Sequence, residues 1–365
     1  MNFENDKRVI LTLDAGGTNF VFTAMQGGRE IVEPFSLPSR ADNLEACLGQ
    51  LVTGFGRVRE QVPVLPSAIS FAFPGPADYE NGIIGDLPNF PSFRGGIPLG
   101  PFLKRKFGIP VFINNDGSLF AYGEAMAGAL PEVNRRLAEA GSPKRYRNLL
   151  GITFGTGFGA GVVTGGELLL GDNGVGGDIW CFRNKKYRDC IAEEGVSIRA
   201  VKRVYRELTG DRTDLTPKEI ADISHGKRPG DQAAARQAFA ELGEVAGDAI
   251  AMADTIVDGL VVIGGGVAHS SDLIFPSLVA EMNSKLKMFS GDEVGHMQMR
   301  VYNLEDPAQF SDFMKGGAVK INIPGTDEQV DYDPVKRVGV VRTRMGASAA
   351  ISMGAYVYAL NHLGV

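Results

Sequence analysis

The stretch LTLDAGGTNFVFTAM, residues 11–25, constrains the fold more than any other part of the sequence. Apolar, strand-like residues lie on both sides of a short interruption that contains a carboxylate, two glycines, a threonine and an asparagine. A hairpin turn explains the glycines, because glycine readily adopts the backbone angles of tight turns. It does not explain why Asp14, Thr18 and Asn19 are there.

A phosphate-binding turn explains all of these residue types. Gly16 and Gly17 let backbone amides approach an anion closely. Thr18 and Asn19 add side-chain donors, and Asp14 can hold the water of a magnesium ion. From this segment alone, both the simple hairpin and the phosphate-binding turn stay open.

A second glycine cluster, GITFGTGFGAGVV, spans residues 151–163. Its spacing is not GxxxxGK[ST], which excludes a Walker-type phosphate loop. Taken alone, the cluster is typical of a hairpin whose glycines permit close strand contact. As the counterpart of the first turn, this cluster of Gly155, Thr156, Gly157, Gly159 and Gly161 is predicted to form the other half of a phosphate clamp.

A third cluster, LVVIGGGVA, spans residues 260–268. It resembles the start of a dinucleotide fingerprint, but GxGxxG would need glycine where His269 stands, and the expected βαβ context near the start of the chain is missing. Dinucleotide binding is therefore the less favoured alternative. Gly265 and Gly266 close a predicted strand and open a helix, which suits a nucleotide phosphate or ribose.

Polar residues at a strand end and in two proline-rich loops are candidates for substrate contact. Asn115 and Asp116 follow the predicted buried strand of VFINND. Asp116 is either an N-cap of the next helix or a general base for a hydroxyl nucleophile. The loops at 73–76 (FPGP) and 86–93 (DLPNFPSF) are either rigid connectors or ligand-binding loops, in which the single amide, Asn89, offers both donor and acceptor to a polyol.

Composition favours small-molecule partners. The 365 residues are 44% apolar with a formal net charge of −6, which offers no general attraction to nucleic acid or anionic membranes. No signal-like segment or apolar run of membrane-spanning length occurs, so we expect a cytoplasmic protein without nucleic-acid or membrane partners. Cys47, Cys181 and Cys190 are odd in number and lack CxxC spacing, so we expect no disulfide framework and a reducing compartment. The four histidines are scattered along the chain, so no zinc site is expected.

The order of strand-like and helical segments predicts an α/β fold with a parallel component. Both halves begin with glycine-turned strands and continue into helices, which indicates a duplicated architecture. We predict an N-terminal domain at 1–116, onto which a C-terminal helix at about 347–365 packs back. The second domain is predicted at 117–346, with irregular insertions near 130–146 and 285–345.

Taken together, these segments resemble the ROK family of sugar kinases and sugar-responsive repressors. LDAGGTN resembles the first phosphate motif, PGP with LPNF the sugar-side loops, INNDGSLFAYGE the Asn-Asp segment, and ITFGTGFGAGVVTGGELLLGDNGVGGD the family signature, while VVIGGGV resembles the adenosine motif. The resemblance implies two actin-like, ribonuclease-H-like domains with mixed sheets flanked by helices and a cleft between them. It also implies ATP and Mg²⁺ as cofactors, a hexose substrate and, by analogy, a homodimer.

The resemblance also implies a role for individual residues. Asp116 would be the catalytic base that takes a proton from a sugar hydroxyl. Asp14 would organise Mg²⁺ through water. The other sugar ligands implied are Gly75, Asn89, Asn115, Asp178 and one of Glu193 and Glu194, and the ATP ligands are Asp14, Gly16, Gly17, Thr18, Asn19, Thr156, Gly157, Gly265 and Gly266.

The chain departs from the family pattern after GGD. The family continues with a Gly-His pair and a CxCGxxGC zinc cluster, whereas this chain reads IWCFRNKKYRDCIAEEG. Cys181 stands about where the histidine would be, and only Cys190 remains of the cluster. We expect Trp180 to be a core residue, and glucose specificity does not carry over automatically.

The favoured function is ATP-dependent phosphorylation of a hexose, with the 6-hydroxyl of a glucose-like sugar preferred. The alternative is a sugar-binding, catalytically degenerate regulator of the same family. Direct DNA binding is disfavoured because only about eight residues precede the first strand and the chain is acidic.

Overall fold

The computed structural model describes residues 3–364. Its α-helices are α1 Leu44–Gln61, α2 Leu99–Phe107, α3 Asp116–Met126, α4 Ala129–Glu139, α5 Ile198–Thr209, α6 Pro217–Ser224, α7 Gln232–Val257, α8 Ser271–Met282, α9 Pro307–Lys315 and α10 Ala347–His362. Its strands are β1 Ile10–Ala15, β2 Asn19–Gln26, β3 Arg29–Glu30, β4 Phe35–Pro38, β5 Ala68–Ala72, β6 Ala77–Asp78, β7 Ile83–Ile84, β8 Val111–Asn114, β9 Leu149–Phe154, β10 Phe158–Thr164, β11 Glu167–Leu168, β12 Leu260–Gly264, β13 Lys285–Lys287, β14 Glu293–Gly295, β15 Arg300–Asn303, β16 Val319–Asn322, β17 Gln329–Tyr332 and β18 Arg337–Arg342. Within residues 3–364, the structure has no helix of the length and apolar character needed to cross a membrane.

The chain divides into two compact units. The first contains the residues up to Ala127, the segment Leu168–Gly176 and the residues from Ser348 onward, and the second contains Gly128–Glu167 and Gly177–Ala347. Helix α3 therefore belongs to the first unit, whereas the predicted boundary placed only Asp116 in the first domain and residues 117–126 in the second.

The sheet of the first unit has the strand order β3-β2-β1-β5-β8. Strand β4 pairs with the first half of β2, and β3 pairs with its end. Strands β1 and β2 are antiparallel, whereas β5 and β8 run parallel to β1. One face of this sheet packs on α1 and α2 through a core that includes many phenylalanines. The carboxyl ends of β1, β5 and β8 lie along one edge of the sheet, which is where side chains that follow parallel strands can converge.

The sheet of the second unit repeats this arrangement. Its order is β11-β10-β9-β12-β18-β15, with an antiparallel β9–β10 hairpin followed by the parallel strands β12, β18 and β15. Strand β12, with the sequence LVVIG, is buried throughout, as expected for a parallel strand covered on both faces. The predicted duplicated α/β architecture is confirmed by these two sheets.

The two segments predicted to be irregular, 130–146 and 285–345, contain regular elements. Residues 130–146 begin with helix α4, whose buried residues Leu130, Val133 and Leu137 recur at helical spacing. Residues 285–345 contain two peripheral hairpins, but also β15 and β18, which form one edge of the central sheet. A local sequence pattern does not predict β15 and β18 in this polar segment. These strands form because β18 pairs with β12 and with β15, which are distant in the sequence.

Helices α3 and α10 cross at unusually close range within the first unit. A Cβ atom on Gly123 would overlap the carbonyl oxygen of Ala350, and one on Gly354 would overlap that of Leu119. Glycine is required here by the close approach of the two backbones. The crossing fixes the position of α3, whose residues 117–125 are all buried.

Asp254 on α7 is a fully buried carboxyl group in the second unit. Its Oδ1 accepts a hydrogen bond from the Gly259 amide at 3.1 Å, and its Oδ2 has no hydrogen-bond partner. Desolvation raises its pKa to about 7, against the weaker opposing effect of the Gly259 amide. The folded protein therefore binds this proton more tightly than the unfolded chain does.

This raised pKa predicts a pH-dependent stability. The contribution is fully present below the ordinary carboxyl pKa, near 4, and is lost as pH rises through about 7. We expect the wild type to lose about 2–3 kcal/mol of unfolding free energy between pH 5 and pH 8, whereas Asp254→Asn shows a much flatter profile. Urea unfolding at both pH values measures this, and identical slopes for the two proteins would contradict it.

Candidate active site

Four predicted site residues line one cavity of the first unit. Asp14, Gly17, Asn89 and Asp116 face a space of about 220 Å³. The remaining lining residues are Ala15, Ala72, Phe73, Pro74, Phe90 and Ile351. The cavity lies at the carboxyl ends of the parallel strands, and it combines two carboxylates, an amide and an apolar wall, which is the composition of a small-molecule site.

The β1–β2 turn contains the first group of residues predicted to bind phosphate. Asp14 is exposed at the end of β1, and its carboxylate forms no hydrogen bond or ion pair with a described residue. The turn is closed by a hydrogen bond from the Gly16 amide to the Asn19 carbonyl at 3.0 Å. Ser39 holds its outer side, donating its amide to the Thr18 carbonyl at 2.9 Å and its hydroxyl to the Gly17 carbonyl.

Asp116 is the first residue of α3, and Asn115 is the N-cap. Asn115 Oδ1 accepts from the Gly117 amide at 2.8 Å, and Asp116 Oδ1 also lies 2.8 Å from that amide. The cap role proposed for Asp116 therefore falls on Asn115, and the second carboxylate oxygen of Asp116 is free to act on a ligand.

The environment of Asp116 tunes its acidity. Asp116 as a whole residue is exposed, but its side chain lines the cavity, and partial desolvation raises the pKa of its carboxyl group. The Gly117 amide lowers the pKa, and the nearby charge of Asp14 raises it. A carboxylate with a raised pKa is a stronger proton acceptor than an ordinary aspartate once it is ionised.

Asn89 is exposed on a loop that aromatic packing holds in place. The neighbouring Phe90 is buried and its ring centroid lies 5.1 Å from that of Phe73 and 6.1 Å from that of Phe20. Arg94 Nη1 donates to the carbonyls of the same loop, at Leu87, Phe90 and Phe93. Asn89 therefore projects from a loop whose backbone is tied to the core.

The remaining sugar-side residues of the first unit surround Tyr79. The Tyr79 hydroxyl donates to the Phe73 carbonyl at 3.0 Å and lies 3.5 Å from Asn115 Nδ2. Gly75 stands so close that a Cβ there would be 2.9 Å from the same hydroxyl. Tyr79 thus connects the loop after β5 to the N-cap of α3.

In the second unit, the β9–β10 turn is held by an ion-paired network. The Phe158 amide donates to Glu193 Oε2 at 3.0 Å. Arg199 Nη2 lies 3.3 Å from Oε1 of both Glu193 and Glu194, and its Nη1 donates to the Thr156 carbonyl at 3.1 Å. Glu193 therefore uses both oxygens within the protein, whereas Glu194 is half-exposed.

Gly265 lies against the strand that leads into this turn. Its φ is +89°, and a Cβ there would lie 2.7 Å from the Phe154 nitrogen and overlap the Phe154 carbonyl. Gly266 has no atom within 4 Å of an added Cβ. Because β9 and β12 are adjacent and parallel, the structure brings Thr156, Gly157, Gly265 and Gly266 to the same edge of this sheet.

The segment that departs from the family pattern is open to solvent. Trp180 is 40% exposed, so its predicted core position is wrong. Asp178, also exposed, precedes the short 3₁₀ helix Ile179–Cys181, and desolvation raises its pKa. Cys181 and Cys190 are exposed free thiols.

Sequence reasoning missed residues that support the site without belonging to a motif. Arg94 and Arg199 act through backbone carbonyls and carboxylates, and Ile351 reaches the cavity from α10. No local sequence motif predicts these contacts, because the tertiary fold decides which residues become neighbours.

Two units of this kind, each with a hairpin-led mixed sheet flanked by helices, define the actin-like fold of ATP-dependent phosphotransferases. The sequence profile of the ROK family matches residues 10–308, and the chain belongs to that family.

Similarity to characterised proteins extends over most of the chain. A glucokinase from Parabacteroides distasonis with a crystal structure shares 61% sequence identity with this chain. The two structures match with a TM-score of 0.93 over 99% of this chain and 100% of that one. A glucokinase from Thermotoga maritima is 26% identical over 297 residues, 74% of this chain and 86% of the relative. An N-acetyl-D-glucosamine kinase from Vibrio cholerae is 26% identical over 285 residues, 73% of this chain and 86% of the relative.

Proposed function

We propose that this protein transfers the γ-phosphoryl group of ATP to the 6-hydroxyl of a glucose-like hexose, with Asp116 as the general base. The chain is an ATP-dependent sugar kinase of the ROK family, as its similarity to glucokinases and an N-acetylglucosamine kinase supports. The observation that carries the finer proposal is that Asp14, Asn89 and Asp116 line one cavity.

Asp116 would act on the attacking oxygen. As the bond between the sugar oxygen and the γ-phosphorus forms, the bond from that phosphorus to the β–γ bridging oxygen breaks, and the hydroxyl proton passes to the carboxylate. The raised pKa of Asp116 makes its ionised carboxylate a better acceptor for the hydroxyl proton. The apolar lining of Phe73, Pro74 and Phe90 reduces the space open to water, which would otherwise compete with the sugar.

Magnesium fits the residues at the end of β1. Asp14 offers a hard carboxylate without a protein partner, and Asp116 places a second negative charge near it. We propose that Asp14 holds Mg²⁺ through a bound water, since the ion prefers oxygen ligands and keeps several waters. When bound, Mg²⁺ would neutralise charge on the β- and γ-phosphates.

The nucleotide ligands proposed in each unit are backbone groups and short side chains. Gly16, Gly17, Thr18 and Asn19 offer donors in the β1–β2 turn. Thr156, Gly157, Gly265 and Gly266 provide the corresponding surface in the second unit, where the strand ends leave little side-chain bulk. Backbone amides of this kind stabilise phosphate charge without any rearrangement.

On the sugar side we propose Gly75, Asn89, Asn115 and Asp178, with one of Glu193 and Glu194. Glu193 already holds the β9–β10 turn, and Glu194 leaves Oε2 without a described partner. Comparing KM for sugar in Glu193→Gln and Glu194→Gln separates the two.

The first experiment is a measurement of ADP release with Mg-ATP across glucose, mannose, fructose, allose, N-acetylglucosamine and N-acetylmannosamine. Turnover that depends on the sugar, followed by identification of the phosphorylated position, tests both the activity and the 6-hydroxyl. If ATP binds but no sugar of this panel is phosphorylated, a sugar outside the panel or the binding-only regulator is favoured instead. Light scattering in the same buffer tests the proposed homodimer.

Arg199→Ala is expected to raise KM for ATP several-fold while changing stability by less than about 1 kcal/mol. The reason is that Arg199 is exposed but ties the Thr156 carbonyl to Glu193 and Glu194. Arg135→Ala, which removes an exposed ion pair with Glu139 on α4, is the matched control. Equal KM values for ATP in the two variants would show that Arg199 does not support the β9–β10 turn in nucleotide binding.

A further inference from the structure

A histidine and two carboxylates from separate segments meet in the second unit. Asp248 lies on α7, Glu281 on α8, and His296 in the segment after β14. His296 Nε2 is 3.8 Å from Asp248 Oδ1, and His296 Nδ1 is 3.6 Å from Glu281 Oε1. One donor atom from each residue can be chosen so that all three lie within 4.8 Å of one another.

The His296 ring is the observation that points to a ligand. Its side chain is only 8% exposed, and its Nδ1 has no hydrogen-bond partner. A buried polar atom without a partner destabilises the folded protein, because it has lost its hydrogen bond to water without replacing it. Both nitrogen–carboxylate distances exceed the usual hydrogen-bond length, so the ring faces two carboxylates without bonding to either.

The surrounding charges leave one carboxylate oxygen available. Lys185 Nζ contacts Glu281 Oε2 and lies 3.5 Å from Glu244, which neutralises that side of the cluster. Glu281 Oε1 faces His296, with the Ser284 hydroxyl 3.5 Å away. Asp248 is also partly desolvated, which raises the pKa of its carboxyl group. A cation placed among these atoms would satisfy groups that Lys185 does not reach.

We propose that Asp248, Glu281 and His296 bind a divalent transition-metal ion, such as Zn²⁺ or Mn²⁺, through one imidazole nitrogen and two carboxylate oxygens. Metal–ligand bonds of about 2.0–2.2 Å in a tetrahedral site place adjacent donors roughly 3.3–3.6 Å apart. Small side-chain adjustments bring the three donors to that spacing, and water takes a fourth position. Lys185 on Glu281 then orients a metal ligand from outside, as outer-shell partners commonly do.

The site is independent of the proposed kinase activity, and it uses none of the cysteines. Cys181 and Cys190 are exposed, and neither belongs to the cluster that the structure places around His296. Metal binding here would join α7, α8 and the segment after β14. Its function is therefore structural support of the second unit.

The test is a titration of chelator-treated, tag-free full-length protein with CoCl₂, followed by visible absorption, then displacement with ZnCl₂. We expect about one Co²⁺ per chain and a loss of affinity in His296→Gln of at least the roughly 10–100-fold that removal of an outer-shell partner costs. Asp248→Asn should show the same loss, which keeps the test decisive if His296→Gln folds poorly. His225→Gln is the matched control, because His225 forms an isolated pair with Asp272 at 2.7 Å.

Three outcomes would overturn the proposal. These are the absence of stoichiometric Co²⁺ absorption, equal affinity in wild type and in both variants, and a loss of absorption only when Cys181→Ser and Cys190→Ser are combined. The last result would assign the metal to the thiols.

Discussion

Asp116→Asn is expected to lower kcat by about 10²–10⁴-fold, the usual contribution of a positioned general base. The amide keeps the shape of the side chain and can still accept the Gly117 amide bond, but it cannot take a proton from the sugar. ATP affinity should change little, since the nucleotide contacts proposed above do not include Asp116. Coupled ADP release and equilibrium ATP binding measure the two effects separately.

The same carboxylate sets the acid side of the pH profile. Because the pKa of Asp116 is raised by desolvation, activity should fall as pH drops through a value above the ordinary carboxyl pKa near 4. Activity is present above that pKa, where the base is ionised. Asp211→Asn, at an exposed carboxylate of the second unit, is the control. Full activity in Asp116→Asn would remove the residue from the role of base.

Gly265→Ala is expected to destabilise the protein by at least about 1–3 kcal/mol, the usual cost of a strained backbone conformation. Two effects add: φ of +89° is unfavourable for alanine, and the new Cβ would overlap the Phe154 backbone. Phe154 ends the strand that leads into the β9–β10 turn, so displacement should also weaken ATP binding by about tenfold or more.

Gly266→Ala is the matched control for that prediction. The adjacent position has free space and no positive φ, so its thermal stability should stay close to wild type. If nucleotide passes near this backbone, Gly266→Ala raises KM for ATP without lowering Tm. Equal stabilities of the two alanine variants would contradict the packing argument for Gly265.

Much of the fold was predictable because its signals are local. The hairpin strands around LDAGGTN and around GITFGTGFG, the strand LVVIG and the helix Ala347–His362 all stand out by apolar pattern and glycine position. These signals were sufficient for the class of fold, and the family resemblance then ordered them.

The errors arose where local pattern and tertiary contact disagree. LPEVNRRLAEA looked polar, yet its three buried residues at helical spacing decide its structure. Strand β18 is flanked by charges and acquires its place only by pairing with β12 and β15. Trp180 is predicted as a core residue, but neighbouring residues do not cover it.

The candidate site divides in the same way. Glycines, Asp14 and Asp116 were recognisable from motifs, and Asp14, Gly17, Asn89 and Asp116 do line one cavity. The different environments of Glu193 and Glu194 were not predictable, because they depend on Arg199 and on the Phe158 amide. Such contacts join residues at no characteristic sequence spacing, so no motif predicts them.

The glycine crossing of α3 and α10 has a consequence for biosynthesis. As the ribosome releases the chain, the helix that begins at Asp116 emerges long before its packing partner, Ala347–His362. Its apolar surface stays uncovered until the whole second unit has been translated. A nascent chain that already contains every predicted sugar and nucleotide ligand therefore still lacks the support that positions its base, so activity should appear only after translation of the final helix.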